Sequence, residues 1–171
     1  MSAPLLRLTG VDEGIEICIE TKLKGADSPA KVAASILQLF PQFPIPDNCA
    51  EPTLGQGSNF DWKATQIDLA HFLKLLHQQK ILDTALDAMS KNLQGRTTVF
   101  ELSRQAALAG KISFALANEI PLGGVFTVTL ASDDLNDWLE AATWHAGRDS
   151  VPRTIGDDNT MAADGEAATW L

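Results

Sequence analysis

The sequence predicts an α+β fold: a curved, mainly antiparallel sheet of four or five strands with helices packed on one face. Three observations carry that expectation. Residues 14–23 alternate apolar and polar side chains at the period of a strand with one wet face. Residues 97–130 repeat that alternation three times, interrupted by one helical turn at 103–109. Between these stretches, residues 28–40 and 66–93 carry apolar stripes at helical spacing.

In chain order, residues 1–13 show no periodic signal. Ile15, Ile17, Ile19 and Leu23 then share one face, with Glu16, Glu20 and Lys22 on the other. Gly25, Ala26 and Asp27 turn the chain. Ser28 followed by Pro29 is a helix start, a hydroxyl cap and then a first-turn proline. Val32, Ile36, Leu37 and Phe40 form the stripe of that helix, and Pro41 ends it. An irregular strand over 51–60 is weakened by Pro52, Gly55 and Gly57. Leu69, Phe72, Leu73 and Leu76 open the next helical stripe, which resumes at Leu82, Leu86, Met89 and Leu93 and stops at Gly95. The pattern fits one long helix, or two bent around 77–80, where neither glycine nor proline forces a break.

Within 97–130, Thr98, Phe100 and Leu102 point one way from the first strand. Ser103 caps the turn RQAALAG, and Gly110 releases the chain into a second strand with Ile112, Phe114 and Leu116. The turn PLGG at 121–124 leads to a third strand with Phe126, Val128 and Leu130. Ser132 caps a last helix anchored by Leu135, Trp138 and Leu139, with Asp133 and Asp134 near its positive end. From Thr143 onward the periodicity is lost. Residues 1–142 thus read as a single α+β domain and 143–171 as a flexible acidic tail.

The composition fits this division. A chain of 171 residues, 45% hydrophobic and 20% charged, is long enough to bury one core. No apolar run approaches the roughly 20 residues of a membrane-spanning helix, and no basic segment followed by an apolar one opens the chain. Cys18 and Cys49 read as buried free thiols, and a cytoplasmic setting with no membrane partner is the expectation. The net charge of -9 argues against nucleic acid at face value, but its distribution changes that. From Asp133 onward nine carboxylates face only Arg148 and Arg153, whereas 63–111 holds seven bases against Asp68, Asp83, Asp87 and Glu101. Phosphate binding needs local positive potential, not a positive total.

Catalytic and metal signatures are missing. His71 and His77 are six apart, about 240° around a helix, so they cannot share a metal. Neither HExxH, paired CxxC, a Walker loop nor GxGxxG occurs. The expectation is a protein that is not an enzyme and uses no cofactor.

One group of motifs goes further. QKILDTA at 79–85, FELSRQAALAGKISF at 100–114, PLGGVFTVTL at 121–130, and DWL with a trailing Thr143 and Gly147 stand in one order and spacing. In these the chain resembles an archaeal family of uncharacterised proteins, itself similar to the large-subunit ribosomal protein that binds the smallest ribosomal RNA. The chain departs from that pattern at Arg104, Ser103 and Leu86, where lysine, asparagine and arginine are usual. The resemblance implies a ribosomal-protein-like, ferredoxin-related α+β sandwich and, with it, RNA binding.

Arg104 and Lys111 flank the short turn, whose amides would join them, with Gln105, in holding a phosphate. The alternative is that Arg104 pairs with a carboxylate such as Glu101 while Gln105 satisfies backbone groups. Lys80, Lys91 and Arg96 extend a basic track if they share a face. Phe100 and Phe114 sit where base-stacking rings do in some RNA-binding sheets, though their parity is also that of core. The competing functional reading is a homodimer or protein-docking module that uses the sheet edge or the apolar strand 125–130.

Overall fold

β1 (Glu16–Gly25) is the spine of the sheet, with Ile17, Ile19 and Leu23 buried beneath it. A computed structural model describes residues 8–11, 13–47, 49–115 and 121–149. On one side β1 pairs antiparallel with β2 (Ser58–Thr65), and on the other with β4 (Val125–Ala131). β4 pairs antiparallel with β3 (Thr97–Ser103), giving the order β2-β1-β4-β3. The fold is therefore α+β with a four-stranded antiparallel sheet.

Two expected strands are placed differently. The one expected over 51–60 begins only at Ser58 and runs to Thr65. Thr53 and Gln56 form a tight turn ahead of it, and Trp62 and Ala64 supply its buried face. The second strand of the 97–130 stretch is reduced to a bridge between Leu102 and Phe114. Two hydrogen bonds make it, from Ser103 N to Ser113 O and from Ala115 N to Glu101 O, both 2.9 Å. Leu116 lies outside the described residues. The backbone of Ile112 turns away from β3, and the Gln79 amide takes both of its groups. Gln79 Nε2 donates to Ile112 O at 3.2 Å, and Ile112 N donates to Gln79 Oε1 at 2.8 Å. A side chain thus closes an edge that a fifth strand would otherwise extend.

α1 (Pro29–Leu39) starts as expected, with Ser28 Oγ accepting from Lys31 N at 3.3 Å. Leu39 takes the buried position expected of Leu37, which is exposed. The next stripe divides into α2 (Ala70–Gln78) and α3 (Leu82–Ser90). The break is a Schellman closure: Lys80 N donates to His77 O and Ile81 N to Leu76 O, with Lys80 at φ +58. A lysine therefore holds the left-handed position that glycine usually takes. α4 (Arg104–Leu108) is the expected turn, with Ser103 Oγ accepting from Ala106 N. α5 (Leu135–Ala142) begins after Asp134, while Ser132 Oγ accepts from Asp134 N in the turn before it. Leu135, Trp138 and Leu139 are its buried anchors.

The helices cover the face that carries Ile17, Ile19, Leu102, Phe126, Val128 and Leu130. Phe40, Phe72, Phe100 and Phe114 run through this layer as successive ring contacts of 5.5, 6.4 and 5.9 Å. Phe100 is buried, so its ring is core and not a stacking platform, whereas Phe114 is half-buried. Cys18 and Cys49 are free thiols and only half-buried, Cys18 lying on the uncovered face of the sheet. No helix among the described residues is long and apolar enough to cross a membrane.

The first residues of the expected tail are folded. Thr143 is buried, a 3-10 turn follows at Ala146–Asp149, and Arg148 is buried as well. The rest of that expected tail, 150–171, lies outside the described residues.

Gln79→Ala should leave both Ile112 backbone groups without partners. Unfolding in urea should then show a loss of about 1–3 kcal/mol, with faster hydrogen exchange at the Ile112 amide.

Candidate functional site

Arg104 does not face solvent. Its side chain is 5% exposed, and its guanidinium is spent inside the protein. Nε donates to Gly123 O, and Nη1 donates to Thr21 Oγ1 at 3.1 Å and to Lys22 O at 3.0 Å. Nη2 meets Asp27 Oδ2 at 3.0 Å. The carboxylate partner is thus Asp27 and not Glu101, which lies exposed on β3. Two amides of α4 are also engaged, Ala106 N by Ser103 Oγ and Arg104 N by Gly124 O at 3.1 Å. The phosphate cradle expected at this turn is therefore a structural clamp. It joins α4 to β1, to the turn after β1, and to the PLGG turn. Gly124 sits at φ +83 directly against the guanidinium, where any Cβ would collide with it.

The remaining cations lie elsewhere. Arg96 precedes β3 and pairs with Asp133, Nε to Oδ1 at 3.2 Å, with both side chains exposed. It is separated from Lys111 by the length of β3, roughly 20 Å. Gln105 is exposed on the first turn of α4, beside Gly123. Lys80 and Lys111 each adjoin one partner of the Gln79–Ile112 clasp. Lys91, at the end of α3, joins Asn92, Val99, Phe100, Glu101 and Phe114 around a shallow recess of about 150 Å³. Lys80, Lys91 and Lys111 are all exposed. Of the six expected residues, Lys80 and Lys111 adjoin the clasp and Lys91 borders the recess beside Phe114, while Arg104 is buried, Arg96 precedes β3 and Gln105 lies on α4.

A second polar cluster escaped the sequence reading. Arg148 Nη2 meets Asp83 Oδ1 at 2.8 Å and donates to Thr143 O at 2.8 Å. Its Nη1 donates to Glu140 O and Thr143 Oγ1, and His145 Nε2 lies 2.9 Å from the same Asp83 oxygen. This cluster ties the C-terminal turn to α3. Burial alone would raise the Asp83 carboxyl, but the bonds from Arg148 and His145 outweigh it and hold it below the usual aspartate value. Glu13 is likewise lowered: its burial is outweighed by bonds from Trp138 Nε1, at 2.9 Å, and from the Thr9 and Gly10 backbone. Among the described residues, no three His, Cys, Asp or Glu side chains are grouped to share a metal.

A single antiparallel sheet clad by helices on one face and pinned by a buried arginine defines a small α+β domain protein. Searched against protein-family models, the chain matches none. A UPF0201 protein of Sulfurisphaera tokodaii is 35% identical over 133 residues, which span 75% of this chain and 88% of that one. A UPF0201 protein of Methanocaldococcus jannaschii is 28% identical over 142 residues, 83% of this chain and 75% of the relative. A crystal structure of a UPF0201 protein from Methanococcus jannaschii, 25% identical, superposes with a TM-score of 0.58 over 74% of this chain and 95% of that one. The chain belongs to the UPF0201 family, whose proteins are uncharacterised. The ribosomal-protein likeness implied by the motifs has no counterpart among these structures.

Arg104→Lys keeps the charge but loses the planar fork, and should lower stability by about 3 kcal/mol in chemical denaturation. Acidification should act through Asp83. Its depressed value means that its contribution is present above the unfolded value of about 3.9 and is lost as pH falls through the folded one. Thermal melts from pH 6 down to pH 2 should therefore fall less steeply for Asp83→Asn than for the parent protein.

Proposed function

We propose that this protein is a non-catalytic RNA-binding module that holds backbone phosphates with Lys80, Lys91 and Lys111. The observation that carries the reading is the Gln79–Ile112 clasp, which joins the chain neighbours of two exposed lysines, Lys80 and Lys111, though they are far apart in sequence. The half-buried ring of Phe114 and the recess bordered by Lys91 and Asn92 lie along the same segment. A stacked base and its neighbouring phosphates fit such a surface, since every base offers a π-face and each lysine a point charge. Lys80 adds a second support. Its left-handed backbone costs of order 1 kcal/mol that a glycine would not. Strain kept at an exposed cation favours a role for that side chain outside the fold. The motif resemblance to a ribosomal RNA-binding fold points the same way, and the total charge of -9 does not oppose it because the binding field is local.

The test is fluorescence anisotropy with labelled single-stranded RNA of several sequences, titrated from 50 to 300 mM salt. Three phosphate contacts predict a log–log slope of roughly -2, with little dependence on sequence. Replacing Lys80, Lys91 and Lys111 together by Gln should flatten the slope and weaken every RNA alike. Lys80→Gly should melt no lower than the parent protein yet bind more weakly. Binding that ignores salt, or survives the triple replacement, would retire the proposal.

A further inference from the structure

β2 is an outer strand, and its free edge is matched to a second copy of itself. Gln66 N donates to Ile17 O, so the even-numbered residues of β2 direct their backbone groups toward β1. By the alternation of an antiparallel ladder, Asn59, Asp61, Lys63 and Thr65 direct theirs outward. Among the described residues no backbone hydrogen bond reaches them from that side. The same four side chains are exposed on the face of the sheet that the helices leave open.

Charged residues on an edge strand ordinarily discourage pairing. Here their order does the opposite under one particular symmetry. If two β2 strands meet antiparallel about a two-fold axis through Trp62, each Asp61 faces the Lys63 of the other copy, and each Asn59 faces the other Thr65. Moving that axis by one residue in either direction sets Asp61 against Asp61, or Lys63 against Lys63, directly opposed like charges that destabilise a sheet. Only the Trp62-centred register joins the outward backbone groups and also pairs opposite charges. Within the chain, Lys22 already stands across from Asp61, and Glu20 across from Lys63. The joined edge therefore extends a row that alternates in sign: Lys22, Asp61, then Lys63 and Glu20 of the other copy.

We infer that this protein forms a symmetric homodimer through β2, making one continuous eight-stranded sheet. The four facing pairs supply about eight inter-chain backbone hydrogen bonds, two for each pair. The two-fold symmetry makes the interface closed, so association stops at two copies. This inference is independent of the RNA proposal, since Lys80, Lys91 and Lys111 lie on other elements.

Light scattering and sedimentation equilibrium on the full chain across a concentration range read the outcome. The parent protein should be a dimer. Asp61→Lys and Lys63→Asp should each be monomeric, because each sets like charges in opposition. An equimolar mixture of those two variants should form a one-to-one heterodimer, and the double reversal Asp61→Lys/Lys63→Asp should dimerise again. Hydrogen exchange of the parent protein should show the amides of Asn59, Asp61, Lys63 and Thr65 protected, and that protection should fade on dilution. This second measurement needs no variant to fold. A parent protein that is monomeric throughout, a dimer that survives both single reversals, a mixture that stays monomeric, or edge amides that exchange fast at every concentration would each overturn the inference.

Discussion

A guanidinium buried in a small protein must find an oxygen for each N–H it takes out of water, because an unpaired one costs far more than its bond returns. Around Arg104 four of the five N–H donors meet oxygens of Thr21, Lys22, Asp27 and Gly123. They belong to the first strand, the turn that follows it, and the turn that opens the last strand. α4 is only five residues long and could not hold its place by helix propensity. It is held by its first residue. Thr21 is shared in both directions, donating to Val125 O at 2.8 Å while it accepts from Arg104. The space that a Cβ would take at Gly124 is filled by the Arg104 guanidinium.

The clamp also explains where function can and cannot reside. An arginine beside a capped turn is the obvious place to seek a phosphate, and the fold buries that arginine among its own oxygens. The cations left at the surface are Arg96, paired with Asp133, and lysines, which keep their hydration and act as point charges; Lys80, Lys91 and Lys111 border the segment 110–115 or its partners. That segment is itself held by side chains more than by a ladder: two bonds to β3, the Gln79 amide, and the Phe100–Phe114 contact. A surface built this way is firm enough to position charge while leaving its outer face unpaired.

Much of the fold was legible because local patterns agreed with it. The alternation at Ile15, Ile17 and Ile19, the Ser28–Pro29 start, the Ser103 cap and the α5 anchors all act over a few residues. The errors share one cause, that the deciding contact was distant in sequence. β2 was misplaced because Pro52, Gly55 and Gly57 drew attention from Trp62 and Ala64, whose burial depends on pairing with β1. The long helical stripe, which fits one helix or two bent around 77–80, is divided there by backbone bonds to Leu76 and His77, which no residue type at 79–81 announces. The candidate site suffered most. Arg104 and Asp27 lie 77 positions apart, and Arg148 and Asp83 lie 65 apart. Neither pairing leaves a trace in spacing, although Asp83 and Thr143 did stand within the motifs that carried the family resemblance.

The strand order also has a bearing on how the protein is made. β1 is complete by Gly25, but its second neighbour, β4, ends only at Ala131. A chain emerging from the ribosome can pair β1 with β2 early, yet must then wait for another sixty or so residues before the centre of the sheet can close. Throughout that interval one flank of β1 stays unzipped, offering its bare amides and carbonyls to whatever nascent chain passes by. During synthesis the exposure of that edge, set by the strand order, is a hazard that the finished fold no longer carries.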